Sequence, residues 1–173
     1  MSELKKAKTD PTDVFWGTAE DTRFGMLGLK GKDQHLQPMT HFVDRDTNSL
    51  WFMTSRDTDL AKAAGEGWQT KMSGDGTEAW FILVSKGQDV QICCKGRLHY
   101  SDEMEKHKEL WNPVAGAWFD GPEDPKLAVY RLELEEAAIW ASTDSSFVFA
   151  WEIAKAHAKD EDPDVGTHTV INF

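Results

Sequence analysis

The sequence predicts a mainly β fold, an antiparallel, Greek-key-like barrel of six or seven strands with a few short helices. Three observations carry that prediction. Short apolar runs, many alternating in the manner of half-buried strands, recur along the chain between turns built from Gly, Asp and Asn. No repeat or linker divides the 173 residues, and a hydrophobic content of 40% suffices for one core. Strands that are mostly antiparallel avoid unpaired edges by closing on themselves.

Residues 1–13 read as a flexible arm, because MSELKKAKTDP is charged and lacks an apolar run. At its end, Asp10 followed by Pro11 is the pattern of an N-cap with Pro at the first helical position, opening a short helix to about Glu20. Arg23 to Lys30 and His35 to Val43 form a hairpin around Gly31, Lys32 and Asp33. Asp44 to Asn48 is a second turn, and Leu50 to Thr54 a short strand with Trp51 and Met53 on one face and Phe52 on the other. A three-stranded meander results. Leu60, Ala61, Ala63 and Ala64 make a brief helix that Gly65 and Gly67 should stop. Glu78 to Ser85 is a buried strand, Lys86 to Asp89 a turn, and Val90 to Tyr100 a long strand in which Gly96 marks a bulge or a close approach. Asp102, with Glu105 three residues on, caps a helix of sequence MEKHKEL that Pro113 ends. After a loop rich in Trp, Gly and Pro, Lys126 to Leu134 and Ala137 to Ser142 are two further strands. Phe147 to Ala158 is helical, with Phe147, Trp151 and Ala154 on one side. The barrel domain therefore spans residues 14–158, and residues 159–173 are a tail that contains the acidic, solvated DEDPD.

A formal charge of −11, from 30 acidic and 19 basic residues, argues against nucleic acid and anionic membranes as partners. Any anion site must be local. No stretch approaches the roughly 18 apolar residues of a membrane helix and no secretory signal opens the chain, so the cytoplasm is the expected location. Cys93 and Cys94 are neighbours on a strand and point to opposite faces, which makes them free thiols rather than a pair. Without an identifiable basic partner, neither reads as a nucleophile. Gly-rich dinucleotide turns, phosphate loops, His-Glu-x-x-His and Gly-x-Ser-x-Gly are absent, and Gly65 to Gly67 and Gly74 to Gly76 are turn glycines. His35 and His41 share one strand without further convergent ligands, so no metal is expected; His99 and His107 read as structural or surface residues. The eight Trp fit a core or a subunit interface.

One cluster points to a ligand. Thr54, Ser55, Arg56 and Thr58 gather hydroxyls and a guanidinium just before a helix start near Asp59, and Lys62 lies one turn in. Two readings fit, a phosphate cradle or an ordinary helix cap, and Asp57 and Asp59 formally cancel the positive charge. The Gln37-Pro38-Met39-Thr40 segment is close enough to offer a strand edge to a flat cofactor, since Pro38 favours a rim position.

The order of motifs resembles the flavin-binding split barrels related to pyridoxamine 5′-phosphate oxidase, and within them the general stress protein 26 branch of bacteria. The likeness runs from Phe15-Trp16 through Met26-Leu27, Gln37-Pro38-Met39, Leu50 to Thr54 and Gly96-Arg97-Leu98 to Glu109 to Pro113, Ala117-Trp118-Phe119 and Glu123-Asp124-Pro125. That resemblance implies a homodimer with FMN, or FAD as the alternative, in clefts between the subunits. Gln37, Pro38, Met39 and Thr40 would run along the isoalloxazine ring, and Met53, Thr54, Ser55, Thr58 and Lys62 would line the ribityl phosphate. Gln91 would reach the flavin of the partner subunit, and Trp111 and Trp118 would cover the ring. Gln37 stands where the family commonly carries Arg, leaving Arg56 or Lys62 to supply the charge. The HTVINF ending lacks the Trp- and Arg-containing terminus with which true pyridoxamine-phosphate oxidases hold substrate, so vitamin B6 oxidation is not expected. The resemblance implies an FMN-dependent oxidoreductase of unknown substrate with a stress-response role; the alternatives are a flavin carrier without turnover or a haem-binding relative, which would need an exposed axial His.

Overall fold

The computed structural model describes residues 2–64, 75–143, 146–159 and 165–173. Two helices, α1 (Glu3–Thr9) and α2 (Pro11–Asp21), precede the strands β1 (Phe24–Leu29), β2 (Gln37–Asp44) and β3 (Ser49–Ser55). Helix α3 (Asp59–Ala64), strands β4 (Thr77–Val84) and β5 (Val90–Ser101), helix α4 (Met104–Leu110) and a 3-10 turn (Ala115–Ala117) follow. Strand β6 (Leu127–Ser142), helix α5 (Ser146–Lys159) and strand β7 (Gly166–Asn172) complete the chain. The seven strands lie in the order β3-β2-β1-β4-β5-β6-β7, and β3 also pairs with β6. That last pairing closes six antiparallel strands into a barrel and leaves β7 outside it, the architecture of a split barrel. The predicted meander of β1, β2 and β3 is present.

The barrel closes because alternate residues of each strand supply its filling. Leu27, Leu50, Phe52, Phe81, Leu83, Ile92, Leu132 and Ile139 are all fully buried, and Phe52 meets Phe81 edge-on at 5.0 Å. At about 1.5–3 kcal/mol for each large apolar side chain buried, this interior is the main stabilising term. Cys94 belongs to it and Cys93 faces outward, so the two thiols are free as expected.

Gly96 marks both a bulge and a close approach. The β5–β6 register shifts between Lys95 and Gly96, because Gly96 pairs with Leu134 and Lys95 with Glu136, leaving Glu135 as the extra residue. A Cβ at Gly96 would collide with the Glu133 carbonyl oxygen. The bulge corrects one expectation: Lys126 to Leu134 and Ala137 to Ser142 are parts of the single strand β6, and their alternation looks interrupted because the bulge shifts its phase at Glu135 and Glu136.

Other boundaries differ too. The predicted arm is helical from Glu3 to Thr9, with Ala7 fully buried and Leu4 packed on the core; two apolar residues one turn apart were too thin a pattern to read. Asp10 does cap the next helix, accepting 3.1 Å from the Asp13 amide. The predicted tail supplies β7, which pairs with β6 from Gly166 to Asn172. Phe173 then packs edge-on against Phe15 and Trp16, at 4.8 and 5.5 Å, joining the end of the chain to α2. Helix α4 begins after Glu103 and carries no side-chain cap, so Asp102 does not have the capping role expected of it. Gly65, Gly67 and the DEDPD stretch lie outside the described residues.

Candidate functional site

The β2–β3 ladder runs only from Asp44–Ser49 to His41–Phe52. Beyond that point β2 continues pairing with β1 from Thr40 to Gln37, while Met53 to Ser55 pair with β6. The two strands part. A cleft of about 320 Å³ occupies the opening, with Gln37, Pro38, Met39 and Thr40 on one side and Met53 and Thr54 on the other. Backbone groups that would continue the ladder between these stretches have no strand partner there, and Pro38 brings no N–H at all.

The opposite wall comes from the loop after α4. Asn112 organises it: its side-chain oxygen accepts from the amides of Val114 (2.9 Å) and Ala115 (3.1 Å), and its amide donates 3.1 Å to the Leu110 carbonyl. The 3-10 turn that follows presents Trp118 and Phe119 to the cleft. Trp118 is 80% exposed and Val114 61%, so the wall carries large apolar surface into solvent. The chain before this loop is tied down by Lys106, which bonds Asp44 at 3.2 Å and Glu109 at 2.9 Å and lies 4.9 Å from the Trp51 ring.

Within the cleft the Gln37 amide nitrogen lies 3.4 Å from the Thr54 hydroxyl and 3.2 Å from the Met39 sulfur. Thr54 is 7% exposed. The cleft is otherwise lined by Phe42, Phe119, Met39, Met53 and Trp118, with Arg23 as the charged member of the described lining. An apolar slot with a few convergent polar groups suits a flat heteroaromatic ligand.

The structure therefore gathers Gln37, Pro38, Met39, Thr40, Met53, Thr54 and Trp118 and separates the other predicted site residues from them. Ser55 and Thr58 have the roles of a helix cap: Thr58 Oγ1 donates 2.9 Å to the Ser55 carbonyl and accepts 3.2 Å from the Ala61 amide, and Ser55 Oγ accepts 3.3 Å from the Asp57 amide. Arg56 turns to the barrel end, donating from Nη2 to Tyr100 Oη at 2.6 Å and from Nε to the Leu127 carbonyl at 3.1 Å. Lys62 lines a neighbouring groove with Asp33, Gln34 and His35. Trp111 lines a hollow beside His41, which adjoins the cleft through Phe42 and Asn112. Gln91 lies on the outer face of β5 between Val84 and Trp140, and its amide donates 2.5 Å to the Gln88 carbonyl.

Sequence reasoning missed Arg23, Phe42, Asn112 and Phe119 as cleft residues. The Asn-Pro and Trp-Phe motifs were visible, yet only their Trp residues suggested ligand contact. Among the described residues no group of His, Cys, Asp and Glu could hold a metal ion, and no helix is long and apolar enough to cross a membrane.

The family model described as "Pyridoxamine 5'-phosphate oxidase like" matches residues 10–164. A general stress protein 26 candidate from Jannaschia sp. CCS1 is 36% identical, with a TM-score of 0.73 over 95% of this chain and 99% of that one. The general stress FMN/FAD binding protein of Xanthomonas citri is 34% identical, with a TM-score of 0.61 over 76% of this chain and 88% of its own. No curated protein matches the sequence.

Proposed function

This chain belongs to the pyridoxamine 5'-phosphate oxidase like family, in the branch of general stress protein 26, and from that premise we propose that it binds FMN and acts as a flavin-dependent oxidoreductase. The observation that carries the proposal is the parting of β2 and β3, which leaves unpaired strand edge beside an apolar slot. That donor set fits a flavin: the ring edge is polar and the ring faces are apolar. Gln37 to Thr40 would lie along the ring, Thr54 would bond the ribityl chain, and Trp118 would cover a ring face. Ser55, Arg56, Thr58 and Lys62 remain the proposed phosphate side, and Arg56 and the cap would have to exchange their present partners to serve it. The flavin supplies the redox chemistry when bound; the chain's residues orient it and exclude water. The Xanthomonas citri relative, by its name, binds FMN or FAD, and FAD is the alternative cofactor here.

A homodimer is part of the same proposal. Phe24, Trp80, Val84, Trp140 and Val170 are between 37% and 61% exposed on β1, β4, β6 and β7. Such an outer face suits a second copy better than water. Gln91 is paired with Trp140 on this face, so a second copy docked there would meet Gln91.

The test is the absorption spectrum of the purified protein, followed by anaerobic addition of NADH or NADPH. Flavin bands that bleach on addition support an oxidoreductase. Bands that persist with every donor tried contradict turnover, and their absence after loading with FMN and FAD contradicts the cofactor.

A further inference from the structure

Thirty acidic residues give the chain its formal charge of −11, yet none of the described residues lining the cleft is Asp or Glu. Arg23 lines it instead. Arg23 is exposed in the bend between α2 and β1, and among the described residues it makes no hydrogen bond or ion pair. An arginine in the lining of an otherwise uncharged apolar slot favours an anion there, because no carboxylate among the described lining competes for the guanidinium.

Position narrows the choice of anion. Phe24 pairs with Thr40 in the antiparallel β1–β2 ladder, and Leu27 with Gln37. Arg23 therefore lies level with the far end of the open stretch of β2, three to four residues from Gln37, or about 10–13 Å at the rise of a strand. The neutral Gln37–Thr54 pair marks the end nearer α3 and Arg23 marks the other. A flavin nucleotide with its phosphate toward α3 places its ring at the Arg23 end. The guanidinium then faces what docks beside the ring.

We propose that Arg23 is the specificity-determining residue of the cleft and selects a small planar substrate bearing a carboxylate. Resting on the flavin reading for its orientation, the assignment puts the carboxylate on the guanidinium and the planar body against Phe42, Phe119 and Trp118. The cofactor's own phosphate is the other source of the same chemistry, and a reversed flavin would bring it to Arg23.

The experiment compares benzoate with its neutral isostere benzamide, on wild type and Arg23→Gln, in flavin-loaded and flavin-free protein. Benzoate binding is read by flavin absorbance in the loaded protein and by calorimetry in the flavin-free protein. Benzoate should bind more tightly than benzamide, and Arg23→Gln should weaken benzoate about tenfold while leaving benzamide unchanged. Arg23→Lys should recover part of the loss. Arg23→Gln should change FMN affinity less than about threefold, as should its effect on riboflavin. Equal binding of the two probes, or benzoate binding indifferent to Arg23→Gln, overturns the proposal. A loss of FMN relative to riboflavin in Arg23→Gln overturns it in favour of the cofactor phosphate. Failure of flavin to bind, with the benzoate preference intact in the flavin-free protein, sinks the flavin reading and keeps Arg23 as the anion site. Arg23 is exposed, and a melting curve shows that the variant is folded.

Discussion

Gln37 and Thr54 meet across the split of the barrel, with the Gln37 amide nitrogen 3.4 Å from the Thr54 hydroxyl. They stand on β2 and β3 beyond the last paired residues of the two strands, so this side-chain contact continues a link that the backbone has given up. Replacing Thr54 by Val keeps the volume and removes the hydroxyl. The substitution should weaken FMN binding about five- to tenfold, the worth of one hydrogen bond, with little change in the barrel's melting temperature. A fluorescence titration of the variant beside wild type measures it.

Gly96 should tolerate no side chain. The bulge brings the Glu133 carbonyl of β6 to where a Cβ would stand, and backbone on both sides leaves little room to yield. Gly96→Ala should cost about 1–3 kcal/mol, and Gly96→Val more. Urea unfolding monitored by circular dichroism gives the difference.

His41 makes stability depend on pH. It is 7% exposed, its Nε2 lies 2.6 Å from the Ala19 carbonyl and its Nδ1 is buried without a partner among the described residues. Burial lowers its pKa, opposed by the bond to Ala19. The unfolded chain then holds the extra proton first, so stability is full above the ordinary histidine pKa of about 6.5 and falls as the pH drops below it. His99, also depressed chiefly by burial, acts with the same sign. His41→Gln keeps a donor for Ala19 and should flatten the profile between pH 7.5 and 5, as read by denaturant midpoints. A slope equal to wild type would assign the dependence to other groups.

The two cysteines should separate by reactivity. Burial raises the thiol pKa of both, most strongly at Cys94, which donates 3.3 Å to the Phe81 carbonyl. In native protein a maleimide or disulfide reagent should modify Cys93 slowly and Cys94 not at all, and both after unfolding. Mass spectrometry of the labelled peptides reads the result.

The barrel was legible because its strands carry their burial in their alternation, as in the buried Val90, Ile92 and Cys94 against the half-buried Gln91 and Cys93. Where one residue breaks the phase, as Glu135 does, one strand reads as two. Helix α1 and strand β7 were missed because each buries only one side chain, Ala7 or Ile171, with Leu4 or the following Phe173 partly buried beside it, and takes its order from tertiary contact. The site was half legible. The Gln37 to Thr54 wall follows from local motifs, but the turn of Arg56 toward Tyr100 depends on a residue 44 positions away. Arg23 and Asn112 reach the cleft only because the strands part where they do, which no local pattern announces.

Titration of flavin-free protein with FMN, followed by quenching of flavin fluorescence, bears most directly on whether the split holds a cofactor. Saturable binding in the micromolar range or tighter, one FMN per chain and weakened by Thr54→Val, is the predicted result. No saturation with FMN or FAD at micromolar concentrations, or binding that Thr54→Val and Trp118→Ala both leave unchanged, would contradict the placement of flavin in this cleft.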